Sequence, residues 1–218
     1  IRETRHASMD DVERALGELG DVTRADVVRG LEALLEPPLI GTDGYKLACA
    51  FFIGTVRACP DRALFAQLVR ALPKATHPLA RDAVVRALPL VNNMAEHGLL
   101  VAALRSPDDG VRTAALRVLE KVVVATTLDV LANDFRGGAF HPAAAAVLAA
   151  LVERLGARAT PVIGGAVSNA DARMVGAGFD AVGRAAAVLG DKAPFVAAAR
   201  ARMRDGDDDV AAAAVACF

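Results

Sequence analysis

The sequence predicts an all-α chain: an α-solenoid of about six stacked two-helix repeats, preceded by an N-terminal helical hairpin. Three observations predict it. Alanine, the best helix former, supplies roughly 48 of the 218 residues, while aromatic residues, which favour strands, stop at 4%. Apolar residues recur at helical spacing, as in Val111, Ala115, Val118 and Val122 with Leu119 beside them. One turn-then-helix statement also returns along the chain with a period in the low thirties.

The elements follow in order. Residues 9–19 and 23–36 read as a helical hairpin, a cap spanning 1–36 that Pro37-Pro38 sets apart from a repeat array over 37–218. The recurring statement is clearest from Pro107 to Leu119, where a turn with Asp108 and Asp109 caps the helix that starts at Val111-Arg112. It appears upstream at 42–50 and 77–88, and in weaker form from 141, 169 and 207. Its anchor positions Lys46, Arg81, Arg112, Ala145, Arg173 and Ala211 lie 35, 31, 33, 28 and 38 residues apart. Between the copies, 61–72, 95–105, 126–135, 160–168 and 192–204 read as the other helix of each hairpin.

A two-helix unit of this period, with an Asp turn and a Val-Arg helix start, resembles a HEAT repeat of the short bacterial type. The same type occurs in phycobilisome-lyase-like proteins. The resemblance covers about 40–218 and is carried best by Asp109, Val111, Arg112, Ala114, Ala115 and Leu119. It implies a chain of thin interfaces, since one hairpin cannot bury its apolar face alone. The last helix, from Val210 to Phe218, lacks the polar outer face of a terminal unit. That predicts either further repeats or self-association through this helix.

Two sets of side chains follow from the register. Lys46, Arg81, Arg112 and Arg173 form a ladder expected to pair with turn residues such as Asp43, Asp109 and Asp171, tying adjacent repeats together. Opposite the core stripe, helical-wheel placement puts Phe51, Val85, Arg86, Leu116, Arg117 and Met174 on the concave side, the common binding face of stacked repeats. These six are the expected partner-binding residues. The dipeptides His77-Pro78 and His141-Pro142 read as helix-start punctuation. Glu96-His97 stands alone, without an HExxH, and the His-Glu dipeptides that HEAT-like iron hydroxylases require never occur. The glycines at 164, 165, 176, 178, 183 and 190 point to close helix packing or a loosened repeat. The acidic turn at Asp205–Asp209 lacks calcium-loop spacing.

The function classes narrow accordingly. Net charge is −1, there is no Trp, and Tyr45 is the single tyrosine. A nucleic-acid partner, and with it a HEAT-like DNA glycosylase that needs a basic groove and stacking aromatics, is disfavoured. A bilin-attachment role rests on likeness of the repeat alone. No catalytic residue, metal ligand or cofactor is expected. No apolar run is long enough to cross a membrane, and three cysteines without CxxC spacing suit reduced thiols in the cytoplasm. The expectation is a non-catalytic scaffold binding a partner protein, a peptide or another domain of the same chain.

Overall fold

The computed structural model describes residues 21–36, 42–185, 193–202 and 208–216. The expected helix over 9–19, the Pro37-Pro38 junction, the acidic residues 205–207 and the end of the chain at Cys217-Phe218 lie outside them. Among the described residues every element is helical and no strand occurs. The helices are α1 (Arg24–Leu35), α2 (Thr42–Ala58), α3 (Leu64–Ala71), α4 (Pro78–Ala87), α5 (His97–Ala103) and α6 (Asp109–Val122). They continue as α7 (Ala125–Gly137), α8 (Ala144–Leu155), α9 (Thr160–Val167), α10 (Ala172–Ala185), α11 (Ala193–Arg202) and α12 (Asp208–Ala216). The recurring statement falls on α2, α4, α6, α8, α10 and α12, and the intervening segments fall on the odd-numbered helices from α3 to α11.

Local chemistry starts these helices where the turn residues stand. Thr23 and Asp26 form a capping box on α1: the Asp26 carboxylate accepts from the Thr23 amide at 2.9 Å, and the Thr23 hydroxyl accepts from the Asp26 amide at 3.4 Å. Asp108 accepts from the Gly110 and Val111 amides at 2.7 and 3.3 Å, and Asp171 from the Arg173 amide at 3.0 Å. His77 caps α4 with its Nδ1, which accepts from the Leu79 amide at 3.1 Å, and Pro78 opens the first turn. His141 differs from its expected counterpart. Helix α8 begins three residues later, at Ala144, so the imidazole stands ahead of the helix and does not cap it. Gly156, at φ 55°, ends α8 in a conformation that a β-carbon resists.

Contacts divide the chain into two compact units, Ile1–Leu100 with Thr113–Val122, and Val101–Arg112 with Val123–Phe218. Helix α1 packs on α2, and the Tyr45 hydroxyl donates to the Leu34 carbonyl at 2.7 Å. In the first unit α2 also packs on α4, and α3 packs on α4. In the second unit α7 packs on α9, α8 on α10, α9 on α11 and α10 on α12. In five of these pairs the partners lie two places apart along the chain.

Polar ties inside each unit keep the same spacing. Asp82 accepts from Arg117 at 2.8 Å, and Cys49 donates to the Leu79 carbonyl at 3.6 Å. In the second unit the Phe135 carbonyl accepts from Asn169 at 2.7 Å, the Val123 carbonyl from Arg158 at 2.8 Å and the Asn169 carbonyl from Arg202 at 2.9 Å. The residues in these five pairs are 30 to 35 apart in the chain. The period seen in the sequence is thus also a contact period.

Two of the flagged glycines are sites of close approach and two are not. A β-carbon at Gly165 would lie 2.2 Å from the Ala132 carbonyl oxygen of α7, and one at Gly178 would lie 2.8 Å from Val167. At Gly164 and Gly176 nothing stands within 4 Å. Backbone cannot yield as a flexible side chain can, so Gly165→Ala is expected to lower the urea midpoint by forcing α7 and α9 apart. Gly176→Ala meets no obstacle and gains helix propensity, raising stability by about 1 kcal/mol. Equal effects of the two substitutions in urea unfolding would contradict this packing.

Candidate functional site

The six residues expected to share a binding face do not share one. Val85, Leu116 and Met174 are core residues, with exposures of 1%, 7% and 0%. The apolar arc of these helices is wider than the stripe that identifies it: α4 is covered by α2 and α3, and α10 by α8, α9 and α12. Arg117 is exposed but engaged by Asp82, and Arg86 is half-buried beside a cleft of about 100 Å³ shared with Lys46, Cys49 and Asp82. An exposed pair such as Arg117–Asp82 contributes about 0.2–1 kcal/mol and sets register more than stability.

Two of the ladder's expected pairs form, Arg112 with Asp109 and Arg173 with Asp171, but each lies within its own turn and does not tie one repeat to the next. Arg112 turns back on its own loop, donating to Asp109 at 2.9 Å and to the Ser106 and Pro107 carbonyls at 2.7 and 3.0 Å. Arg173 pairs with Asp171 at 2.8 Å and lies 4.5 Å over the Phe140 ring. The Asp171 carboxyl is held below its ordinary range by the hydrogen bond from Arg173. These aspartates organise turns. The ties between equivalent segments are made instead by Arg117, Arg158, Asn169 and Arg202. Lys46 is exposed and Arg81 half-buried.

Phe51 is the exception among the six, and it marks the site. Phe51 and Leu47 are 47% and 53% exposed, one helical turn apart on α2, while Phe52 next to Phe51 is fully buried. Together they form one wall of an apolar groove of about 880 Å³ between α1 and α2. Helix α1 contributes Asp26, Arg29, Gly30, Ala33 and Leu34, α2 adds Gly44, Ala48 and Thr55, and Asp21 and Val22 lie at its mouth. Gly30 and Ala33 are small, which opens room above the apolar floor. The rim is charged: Asp26 pairs with Arg29 at 2.5 Å, and the Thr23 hydroxyl holds the Asp26 carboxyl below its ordinary range.

The repeat register shows how unusual this groove is. The positions of Leu47 and Phe51, one and five residues after the anchor Lys46, are Asp82 and Arg86 in α4 and Thr113 and Arg117 in α6. Helices α4 and α6 place polar groups there, α8 places Ala146 and Ala150, and α10 places Met174, which is buried, and Gly178; α2 places two large apolar side chains that stay exposed. Such a surface can receive apolar side chains. Among the described residues there is no group of His, Cys, Asp or Glu able to hold a metal ion.

Sequence reading missed Leu47, and it missed two buried polar residues that organise the interior. Asn169 donates to the Phe135 and Gly138 carbonyls at 2.7 and 3.0 Å and accepts from the Asp171 amide at 2.7 Å. His97 lies between Asn92, whose amide oxygen accepts from Nε2 at 2.7 Å, and the Phe65 ring at 5.7 Å. Because an amide oxygen only accepts, Nε2 carries the proton. Cys49 and Cys59 are free thiols, and burial pushes the Cys49 thiol up to about 11. No helix among the described residues is long and apolar enough to cross a membrane.

Burial lowers the affinity of His97 and His141 for a second proton, and the Arg105 guanidinium adds to this at His141. The unfolded chain protonates both near 6.5 and the folded chain only at lower pH, so stability is full above 6.5 and declines as pH falls below it. The melting temperature is therefore expected to drop between pH 6.5 and 5, and His97→Gln should flatten that drop. An unchanged slope in the variant would remove His97 from the account.

No protein-family model matches this sequence, and comparison with curated proteins and with solved structures also finds no match.

Proposed function

We propose that this chain is a non-catalytic interaction scaffold, a HEAT-like α-solenoid whose docking site is the groove between α1 and α2. The single observation that carries the reading is the exposed Leu47–Phe51 pair at a register position that is polar in α4 and α6. Two large apolar side chains left in water cost on the order of 1.5–3 kcal/mol each relative to burial. An amphipathic helix laid along the groove would recover that cost, with its apolar face down and its polar face toward the Asp26–Arg29 rim. Contacts between helices two places apart, and polar ties at the repeat spacing, support a stacked-repeat platform behind the groove. The free thiols of Cys49 and Cys59 suit a reducing, cytoplasmic setting.

The test is affinity capture with the unmodified chain and with the double variant Leu47→Glu/Phe51→Glu, read by quantitative mass spectrometry. Proteins bound through the groove should be lost at least tenfold from the double variant, with helicity and melting retained because both side chains are already exposed. The pair Arg86→Glu/Arg117→Glu lies outside the groove and should leave capture unchanged. Capture that survives the groove variant and fails with the arginine variant would move the site to the face of α4 and α6.

A further inference from the structure

We infer that the first unit also holds a small-molecule site, a cavity of about 270 Å³ at the end of α1 and the start of α4 that takes a primary amine carrying an oxygen acceptor. The inference is independent of the helix-docking groove. Leu34, Tyr45 and Pro78 give the cavity its apolar wall, while Glu36, Thr76 and His77 bring polar groups to it. Glu36 stands at the C-cap of α1 and His77 at the N-cap of α4, so two helix ends meet around one space. The volume falls below the roughly 300–1,000 Å³ of drug-sized sites, which restricts the occupant to a small molecule.

Hydrogen bonding fixes what the occupant must offer. His77 Nδ1 accepts from the Leu79 amide at 3.1 Å, so the proton of the neutral ring sits on Nε2, at the other edge of the imidazole. The ring is held against Tyr45, with centroids 4.6 Å apart and planes 72° to one another. Tyr45 is fixed in turn by its hydroxyl, which donates to the Leu34 carbonyl at 2.7 Å. Among the described residues, neither Nε2 of His77 nor the carboxylate of Glu36 has a hydrogen-bond or ion-pair partner, and the two do not pair with each other. An unmet donor and an unmet acceptor therefore line one cavity. Burial pushes the Tyr45 phenol above its ordinary range and keeps it neutral, so Glu36 is the charged group among the described lining residues. A single negative charge beside an apolar wall selects a cation. An ammonium on Glu36 and a hydroxyl or carbonyl oxygen on His77 Nε2–H, carried by one small apolar body, would satisfy both groups.

The test titrates the full chain with leucinol, an amino alcohol with an apolar body, and follows the Thr76 and Leu79 amide resonances in nitrogen–proton correlation spectra. The unmodified chain should give saturable shifts. Glu36→Gln should weaken binding at least about tenfold, the loss of a charge-assisted contact. Glu36 is exposed, so this variant reads the site without disturbing the fold. His77→Asn keeps a side-chain acceptor at the α4 N-cap but withdraws Nε2–H, and it should weaken binding by a similar factor with helicity retained. Isohexanol, which is leucinol without its amine, should produce no saturable shift over the same concentrations. Leu47→Glu/Phe51→Glu should leave leucinol binding unchanged, which separates this result from the fate of the groove. Absence of saturable shifts with leucinol in the unmodified chain would overturn the inference. Undiminished affinity in Glu36→Gln, or equal affinity for isohexanol, would overturn it as well.

Discussion

Burial of one helix against the helix two places along the chain is the constraint on which the rest of this structure depends. The helices are short: α3 and α9 have eight residues and even α2 has only 17. Isolated helices of this length are marginal in water, because nucleation costs more than a few hydrogen bonds return. They persist because each lays an apolar side against a neighbour. Within the second unit α7 packs on α9, α9 on α11, α8 on α10 and α10 on α12. A period in the sequence follows physically, since the same packing task recurs every hairpin and is solved with similar residues.

That logic explains what could be read in advance and what could not. Phase was legible: turns that contain Asp108, Asp171 or His77-Pro78 start helices α6, α10 and α4 because each offers a side-chain acceptor or a preset φ to the first turn. Facing was not. An apolar stripe locates the centre of a buried arc but not its width, and the width depends on how many neighbours a helix has. Val85 lies on the flank of that arc and is core where α2 and α3 both pack on α4; Leu116, on the flank in α6, is buried too. The ladder arginines Arg112 and Arg173 meet the expected turn aspartates without reaching the next repeat, for a related reason. A guanidinium beside its own turn finds carbonyls and an aspartate within three to six residues, as Arg112 does with Asp109, Pro107 and Ser106. Reaching the next repeat offers it nothing better.

Missed residues carry a usable lesson about small polar groups in repeat turns. Asn169 holds two carbonyls of the preceding segment and one amide of its own turn, so an apolar replacement would leave buried polar atoms without partners. Its sequence signal was an amide side chain just ahead of an Asp-initiated helix, one period beyond the helix whose end it secures. His97 had a weaker signal, since the bond to Asn92 depends on the two 3-10 turns at Leu88–Val91 and Met94–Glu96 that bring them together. Neither turn has a helical or strand periodicity to read.

The groove stands out against this background of economy. Alanine and glycine let helices come so close that Gly165 meets the Ala132 carbonyl, and large side chains are sparing: Phe52, Phe65, Phe135 and Phe179 are each fully buried. A chain that buries these phenylalanines among leucines, valines and alanines leaves Phe51 and Leu47 about half in water. Scattered exposed apolar residues need no explanation, but two on one helical turn, facing small residues across a groove of about 880 Å³, form a continuous surface. At the same register α4 and α6 are polar, whereas Met174 in α10 is buried, so the exposure of Leu47 and Phe51 belongs to α2 and not to the repeat as a whole.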